Sequence, residues 1–229
     1  MTSSEFHIGF DIQLDKTLDF EYAYVLPEQK DYWLNKAQDR IIKQKLYGNN
    51  PKQTYYDITL QRVDDLKTLI KNSSITSSSY SVSLTSYIKQ FTLPTDYKYY
   101  IKSFVLVDKL MRNGLTSTQT PFPVEHIQRE DVEKFLTIQG VNKPDFDRLK
   151  GFIEGNVLVV IFDSYTTNVN TCKLTYIKQP VLFNYATTTV TDLPESIHNE
   201  ILDEAVLLAL NNFESQRLQT ELIIDKGNE

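Results

Sequence analysis

Cysteine and glycine are scarce in this chain of 229 residues. Cys172 is the single cysteine, which excludes an intramolecular disulfide and is typical of a reducing compartment. Seven glycines weigh against glycine-rich phosphate loops, because average usage would supply about twice that number. With no apolar run of about 18 residues, the sequence predicts no membrane-spanning helix and no membrane partner.

Motifs of catalysis and nucleotide binding are also missing. No G-x-S-x-G, H-E-x-x-H, P-loop or G-x-G-x-x-G pattern occurs in the sequence. His7, His126 and His198 are scattered, and a lone cysteine on an alternating segment is typical of a core residue. The acidic pairs Asp64-Asp65 and Glu130-Asp131 lack a third ligand at a useful spacing. We therefore predict no catalytic, cofactor-binding or metal-binding residues and no enzyme activity.

The composition predicts a folded α+β protein with an acidic balance. Lys and Arg number 24 against 30 Asp and Glu, a net charge of −6, which argues against a surface that grips nucleic acid throughout. The hydrophobic fraction of 41% favours a packed core over disorder. Met1 to Glu5 lacks the basic-then-apolar order of a signal peptide. The length is typical of one large domain or two small ones.

The N-terminal segment alternates apolar and polar residues. Its apolar members are Phe6, Ile8, Phe10, Ile12 and Leu14. A period of two predicts a strand with one buried face. Because this strand would lie at the chain end, it would pair within the domain or with a neighbouring subunit.

Helical periodicity follows, and it returns near the C-terminus. From Pro27 the spacing predicts a helix over 28–47, and a shorter helix is predicted from Asp57 to Lys71, so that the two form a helical hairpin. Asp192-Leu193-Pro194-Glu195 is close to a capping box and opens a helix that is apolar almost all round, continuing to about Leu218. Such a helix must pack on two sides, so we predict a long, buried C-terminal helix.

The middle of the chain is rich in predicted strands. They are Tyr97–Val107, Asn156–Asp163 and Cys172–Tyr176, with a short helix over Gln128–Gln139. The Ser/Thr-rich segment Asn72–Ser86 is predicted as a loop or boundary, with a weak strand as the alternative where Tyr80, Val82 and Leu84 alternate. Asn156–Asp163 is apolar throughout, as expected of a strand buried on both faces. These elements suggest segment 1–72 for the N-terminal strand and hairpin and segment 73–229 for the β-rich part closed by the C-terminal helix, or one continuous domain.

Two groups of side chains have both a binding and a structural interpretation. The aromatic clusters are Tyr22/Tyr24, Tyr55/Tyr56 and Tyr97/Tyr99/Tyr100, and the basic residues of the first helix are Lys36, Arg40, Lys43 and Lys45. Aromatic rings can stack on bases or sugars, but without a basic groove they favour protein interfaces. The basic residues share their helix with carboxylates, which favours a solvated mixed face over phosphate binding.

Four segments carry the pattern of a known family. They are Leu93–Tyr97, Phe162–Thr167, Leu174–Pro180 and Asp192–Ile201, the last continuing through Ala205 and Val206 to Arg217. Together they resemble a virion structural protein of crAss-like tailed bacteriophages over about residues 93–217. Gln179 departs from the family pattern, in which a basic residue precedes the proline.

The resemblance implies a ring subunit of the phage neck, the head–tail connector between portal and tail. Its implied partners are further copies in a homo-oligomeric ring, the portal, and other neck or tail proteins, with genomic DNA passing transiently and without sequence-specific binding. Its implied location is the virion, assembled in the host cytoplasm. Two alternatives stay open: a host- or receptor-binding virion module, and a packaging-associated hydrolase that would use Asp64, Asp65, Glu130 or Asp131. On the first interpretation, the acidic balance would keep DNA from adhering to the ring lumen.

Overall fold

The computed structural model describes residues 1–18, 25–47, 64–79, 88–110, 114–132, 149–162, 166–187 and 190–227, with backbone alone for 16–18, 47, 79 and 214–227. Contacts divide the chain into two units. The helical unit comprises Met1–Leu69 and Pro180–Glu229, and the barrel unit comprises Ile70–Gln179. The segments suggested by the sequence group residues 180–229 with the strands, whereas in the structure the described residues after Pro180, including α3, contact α1 and α2. In the described part of the chain no helix is both long enough and apolar enough to cross a membrane.

The helical unit contains helices α1 (Ser3–Leu18), α2 (Pro27–Tyr47) and α3 (His198–Gly227). Its core is formed by apolar residues spaced three or four apart on each helix: Phe6, Phe10 and Leu14; Leu34, Ala37, Ile41 and Ile42; Ile201, Ala205 and Ala209. Helix α1 approaches α3 closely at Gly9, where a Cβ atom would lie 3.0 Å from Leu202 Cδ1.

Helix α1 replaces the strand predicted for residues 6–14, so that prediction was wrong. A capping box starts the helix: the Thr2 N–H donates to Glu5 Oε2 at 2.8 Å, and the Glu5 N–H donates to Thr2 Oγ1 at 3.3 Å. The alternating apolar residues 6–14 therefore lie on a helix. Its first turn is stabilised by Thr2 and Glu5, which are not part of the alternation.

The other two helices confirm their predictions in position. Helix α2 occupies the predicted range, and α3 begins after a 3₁₀ turn at Glu195–Ile197. The predicted cap was wrong: Asp192 Oδ2 accepts a hydrogen bond from the Val181 N–H at 3.3 Å, and the 3₁₀ turn has no side-chain cap.

The second helix of the predicted hairpin is wrong at its C-terminal end. Residues 64–66 are helical, residues 67–69 form a turn, and Ile70 and Lys71 already belong to a strand. The rest of that prediction, residues 57–63, lies outside the described residues.

The barrel unit is a closed barrel of seven strands in the order β1-β2-β6-β5-β4-β3-β7. The strands are β1 (Ile70–Ser79), β2 (Ile88–Thr92), β3 (Tyr97–Leu110), β4 (Thr116–His126), β5 (Leu149–Glu154), β6 (Val157–Ile161) and β7 (Thr166–Lys178). Neighbouring strands are antiparallel except the parallel pair β4 and β5. The chain is thus an α+β protein, and β3, β6 and β7 confirm the three predicted strands.

Strand β1 corrects the predicted loop over residues 72–79. Its side chains are mainly Ser, Thr and Asn, yet its backbone pairs with β7 over Ile70–Thr76 and with β2 over Ser77–Ser79. Closure of the barrel places this polar segment between two strands, where its amides find partners regardless of side chain. Residues 80–86 lie outside the described residues.

Apolar residues on β6 alternate between the two sides of the barrel wall. Leu158 and Val160 belong to the barrel interior, whereas Val159 and Ile161 belong to a second cluster with Ile88, Phe152, Ile127 and Val132. This confirms the prediction of a strand buried on both faces. Of the predicted helix over Gln128–Gln139, residues 129–131 form a 3₁₀ turn, and residues from 133 onward lie outside the described part.

Candidate functional site

The acidic pairs noted in the sequence lie on separate units. Asp65 is buried and its Oδ2 lies 2.9 Å from Lys45 Nζ, and Asp64 pairs with Lys67 at 2.7 Å. Glu130 and Asp131 lie in a 3₁₀ turn of the barrel unit. Within the residues that the structure describes, no group of three His, Cys, Asp or Glu side chains is placed to hold a metal ion.

The three histidines have separate structural surroundings. The buried His198 donates from Nε2 to the Leu193 carbonyl at 3.0 Å, and burial lowers its pKa despite that hydrogen bond. His7 is buried beside Asp31, and His126 is exposed with its ring centroid 5.6 Å from that of Tyr100.

Cys172 is a core residue, as predicted. Its side chain is fully buried in the barrel interior. Burial raises the pKa of the thiol to about 12, although a hydrogen bond with Ser103 acts in the opposite direction. A protonated, enclosed thiol is a poor nucleophile.

The most elaborate polar arrangement of the helical unit holds residues 181–185, termed the strap, against α2. Asn35 Nδ2 donates to the Phe183 carbonyl at 3.1 Å, and the Phe183 N–H donates to Asn35 Oδ1 at 2.8 Å. One side-chain amide thus satisfies both backbone groups of a residue, as a paired strand would. The Phe183 side chain is buried and meets the Phe6 ring edge-on, with centroids 4.7 Å apart.

Two further residues of α2 extend this arrangement in both directions. The Tyr185 N–H donates to Asp31 Oδ2 at 3.1 Å, and Gln38 Nε2 donates to the Val181 carbonyl at 3.3 Å. Positions 31, 35 and 38 share one face of a helix, which explains why they reach successive residues of the strap.

His7 contacts both Asp31 of α2 and Tyr185 of the strap. Its Nε2 lies 2.8 Å from Asp31 Oδ1, and its ring stacks on Tyr185 with centroids 5.0 Å apart and an interplanar angle of 21°. The Tyr185 ring is therefore held from the protein side while nearly half of the residue is exposed.

The strap exposes apolar side chains. Leu182 is 53% and Tyr185 49% exposed, Val181 is partly exposed, and Val190 and Met1 are exposed beside the bridge between Thr2 and Val190. We term Met1, Val181, Leu182, Tyr185 and Val190 the strap surface. Exposed apolar side chains on a backbone held by hydrogen bonds are typical of an interaction surface.

A second exposed apolar surface lies on α1. Ile8 and Ile12, one turn apart, are 58% and 51% exposed on the face opposite the core. The exposed carboxylates of Glu5 and Asp15 stand three residues before and after them. We term Glu5, Ile8, Ile12 and Asp15 the α1 stripe.

Ion pairs engage most of the basic residues of α2. Lys45 Nζ lies 2.9 Å from both Asp65 and Glu200, and Arg40 lies 2.7 Å from Glu204. Burial lowers the pKa of Lys45, but the hydrogen bonds to Asp65 and Glu200 outweigh it and raise that pKa overall. Lys43 pairs with Asp39. These contacts agree with the mixed face predicted for α2.

A shallow groove of about 260 Å³ lies between α2 and α3. It is lined by Glu28, Gln29, Tyr32, Trp33, Asn212 and Phe213. Lys36 Nζ lies 5.6 Å from the Tyr32 ring centroid and 5.2 Å from that of Trp33. A cation of the chain itself already faces these two rings.

In the barrel unit, Asp96 joins two of the family-like segments. Its Oδ1 accepts the Tyr176 hydroxyl and its Oδ2 accepts Lys71 Nζ, both at 2.7 Å, while its carbonyl accepts the Gln179 N–H at 2.6 Å. The Lys71 ammonium and the Tyr176 hydroxyl lower the pKa of Asp96. Burial and the Asp96 carboxylate raise the pKa of Tyr176 to about 12. Leu93–Tyr97 and Leu174–Pro180 therefore have a structural role in this barrel.

This contact predicts an alkaline loss of stability. The Tyr176 hydroxyl ionises near pH 10 in an unfolded chain and near 12 in the folded one, so its stabilising contribution is complete below pH 10 and is lost as the pH rises toward 12. Tyr176→Phe should lower the free energy of unfolding by about 1 kcal/mol at neutral pH and flatten its decline above pH 10. Urea titrations of both proteins at a series of pH values measure this. An unchanged alkaline slope in the variant would contradict the assignment.

Strand register defines one outer face of the barrel. Three cross-strand rows of β1, β7, β3 and β4 point outward: Asn72, Thr175 and Lys102; Ser74, Lys173, Phe104 and Pro123; Thr76, Thr171, Leu106 and Pro121. Alternate residues such as Cys172, Val105 and Phe122 are buried inside. We term the eleven outward residues the barrel face. It contains two lysines, a 37%-exposed Phe104 and no carboxylate.

The tyrosines of β3 are partly buried within the barrel unit, and their predicted role at a protein interface stays a prediction. Tyr97 and Tyr100 pack partly buried against the barrel core, and the Tyr100 hydroxyl bonds to Ser103 at 2.9 Å. Tyr99 is also partly buried, with Lys98 Nζ 5.6 Å from its ring centroid. The clusters Tyr22/Tyr24 and Tyr55/Tyr56 lie outside the described residues.

The two units carry opposite net charge. Residues 70–179 contain 13 Lys and Arg against 10 Asp and Glu, a net charge of +3, whereas the rest of the chain contains 11 against 20, a net charge of −9. The two values sum to the overall net charge of −6, so the total alone does not show that the units differ in sign.

Comparisons with known proteins add no family to these observations. No protein-family model matches the chain, and no curated protein matches it.

Sequence reasoning missed the strap and both other surfaces. Thr2 and Glu5 have the spacing of a capping box and would have indicated α1. The positions 31, 35 and 38 suggest a polar helix face, but no local signal names residues 181–185 as the segment that this face binds.

Proposed function

We propose that this protein is a non-enzymatic structural subunit that assembles head to tail into a ring of the phage neck, between portal and tail. The observation that carries the proposal is the charge division of the chain, −9 on the helical unit and +3 on the barrel unit. Head-to-tail contacts need two different complementary patches on each subunit, and oppositely charged units supply them. The resemblance to crAss-like phage virion proteins favours the neck as the location.

Exposed apolar residues support an assembly role. Most of the large apolar side chains exposed in the described part of the chain belong to the helical unit, including the strap surface and the α1 stripe. Like charge disfavours contact between two helical units, so self-association would bring the helical unit of one copy to the barrel unit of the next. The remaining strap surface is then available to the portal or another neck protein.

The acidic helical unit is also the part of the subunit suited to line a DNA passage. A unit whose residues sum to a net charge of −9 attracts few phosphates, so genomic DNA would pass without sequence-specific binding.

Negative-stain electron microscopy with light scattering on the purified chain tests the proposal. We expect rings or stacked rings of many copies, weakening as salt rises because charge complementarity is screened. Monomers that bind host cells would instead favour the receptor-binding module. Hydrolase activity that is lost on replacing Asp64, Asp65, Glu130 or Asp131 would favour the packaging enzyme.

A further inference from the structure

We propose that the α1 stripe of one copy docks on the barrel face of the next copy, and that this contact forms the lateral interface of the ring. This inference rests on the proposed function and names the surfaces involved. The α1 stripe belongs to the helical unit and the barrel face belongs to the barrel unit.

The charges of the two surfaces are complementary. The α1 stripe has two apolar residues at its centre with the exposed carboxylates of Glu5 and Asp15 at its ends. The barrel face has the exposed Lys102 and Lys173, and the next outward residue of β4, Glu125, has its carboxylate paired with Lys150 Nζ at 2.6 Å. Opposite charge on the two surfaces favours this pairing over contact between two α1 stripes.

Apolar groups match as well. On the barrel face, Phe104 lies opposite Pro123 and Leu106 lies opposite Pro121. These four side chains on β3 and β4 would receive Ile8 and Ile12, while Lys173 beside Phe104 would approach a carboxylate of the stripe. An apolar centre fits a second protein better than it fits nucleic acid, whose binding surfaces are more polar and more strongly basic.

The dimensions also agree. Ten residues separate Glu5 from Asp15, a rise of about 15 Å along a helix. The barrel face spans three strand spacings, about 14 Å, in one direction and about 13 Å along the strands. One helix therefore covers the face, and neighbouring surface would complete the area of a stable contact.

Two variants of the full chain test the inference, and we term them half-blocked because each has one of its two contact surfaces blocked and the other intact. Ile12→Lys blocks the α1 stripe and Phe104→Lys blocks the barrel face, each by placing an ammonium group in the apolar centre of the contact, so the two blocked surfaces also repel each other. We expect each variant alone to assemble on the order of a hundredfold more weakly than the wild type. Mixed together, they should form a one-to-one dimer and nothing larger, because one intact pair of surfaces remains. Light scattering and native mass spectrometry measure both results.

The controls are Leu207→Lys, at a half-exposed leucine of α3, and Lys36→Glu, at an exposed lysine of α2; both should assemble as the wild type does. Circular dichroism establishes that every variant folds. If the wild type forms rings and the half-blocked variants do so equally well, the docking inference is overturned and the proposed function stands. If the folded wild type remains monomeric, both are overturned. A mixture that gives no dimer also overturns the inference.

Discussion

Replacing Phe10 by alanine is expected to lower the free energy of unfolding by about 3–5 kcal/mol, whereas Ile12→Ala should change it by less than about 0.5 kcal/mol. Phe10 is fully buried in the helical unit, and Ile12 is 51% exposed. The two residues stand two positions apart, so on a helix they point in nearly opposite directions. Removing the phenyl ring would leave a cavity among packed side chains, while removing the exposed isoleucine side chain leaves none.

This comparison separates the helix from the strand predicted by periodicity. On a strand, Phe10 and Ile12 would face the same side, and both substitutions would cost similar amounts. Urea unfolding followed by circular dichroism measures both variants, with Phe6→Ala and Ile8→Ala as a second matched pair. Equal losses within either pair would be incompatible with helix α1.

The second large effect is expected at Asn35. Asn35→Ala should lower the free energy of unfolding by about 2–4 kcal/mol, because the N–H and the carbonyl of Phe183 both lose their partner beside a buried side chain. The same substitution at Asn199, an exposed residue in the first turn of α3, should cost under about 1 kcal/mol.

Hydrogen exchange adds a readout that is local to the strap. The amides of Phe183 and Tyr185 are hydrogen-bonded to α2 and should exchange faster in Asn35→Ala than in the wild type. Unchanged exchange at these two amides, together with a small loss of stability, would mean that Asn35 does not hold the strap.

The strap is relevant to the proposed assembly because hydrogen bonds to α2 fix the backbone that carries Val181, Leu182 and Tyr185. Tyr185 has its backbone bonded to Asp31 and its ring stacked on His7, so it loses little freedom when a partner covers it. A surface ordered in advance in this way suits an assembly that must form once and persist. Substitution of Asn35 should therefore also weaken contacts made by the strap surface.

The spacing of apolar residues along the chain predicted α2, α3 and three of the seven strands. Helix α2 has a helical apolar period and a proline at its first position, and β6 is an uninterrupted apolar run; both were predicted in place. Helix α1 was missed because apolar residues on both of its faces imitate a period of two. Strand β1 was missed because a Ser- and Thr-rich segment lacks the apolar alternation of a strand, and its pairing with β7 and β2 is a property of the closed barrel.

The scarcity of cysteine and glycine, the net charge of −6 and the α+β class followed from the sequence alone, as did α2, α3, β3, β6 and β7, because composition and local spacing determine them. Strands β2, β4 and β5 were not predicted. Only the tertiary structure decided how the residues are shared between units. It brought the strap and α3 beside α1 and α2, divided the charge into −9 and +3, and placed Lys102, Lys173 and Phe104 on one face. These features depend on contacts between residues far apart in the chain. No local periodicity encodes such contacts, and strand register and the packing of helix faces determine them.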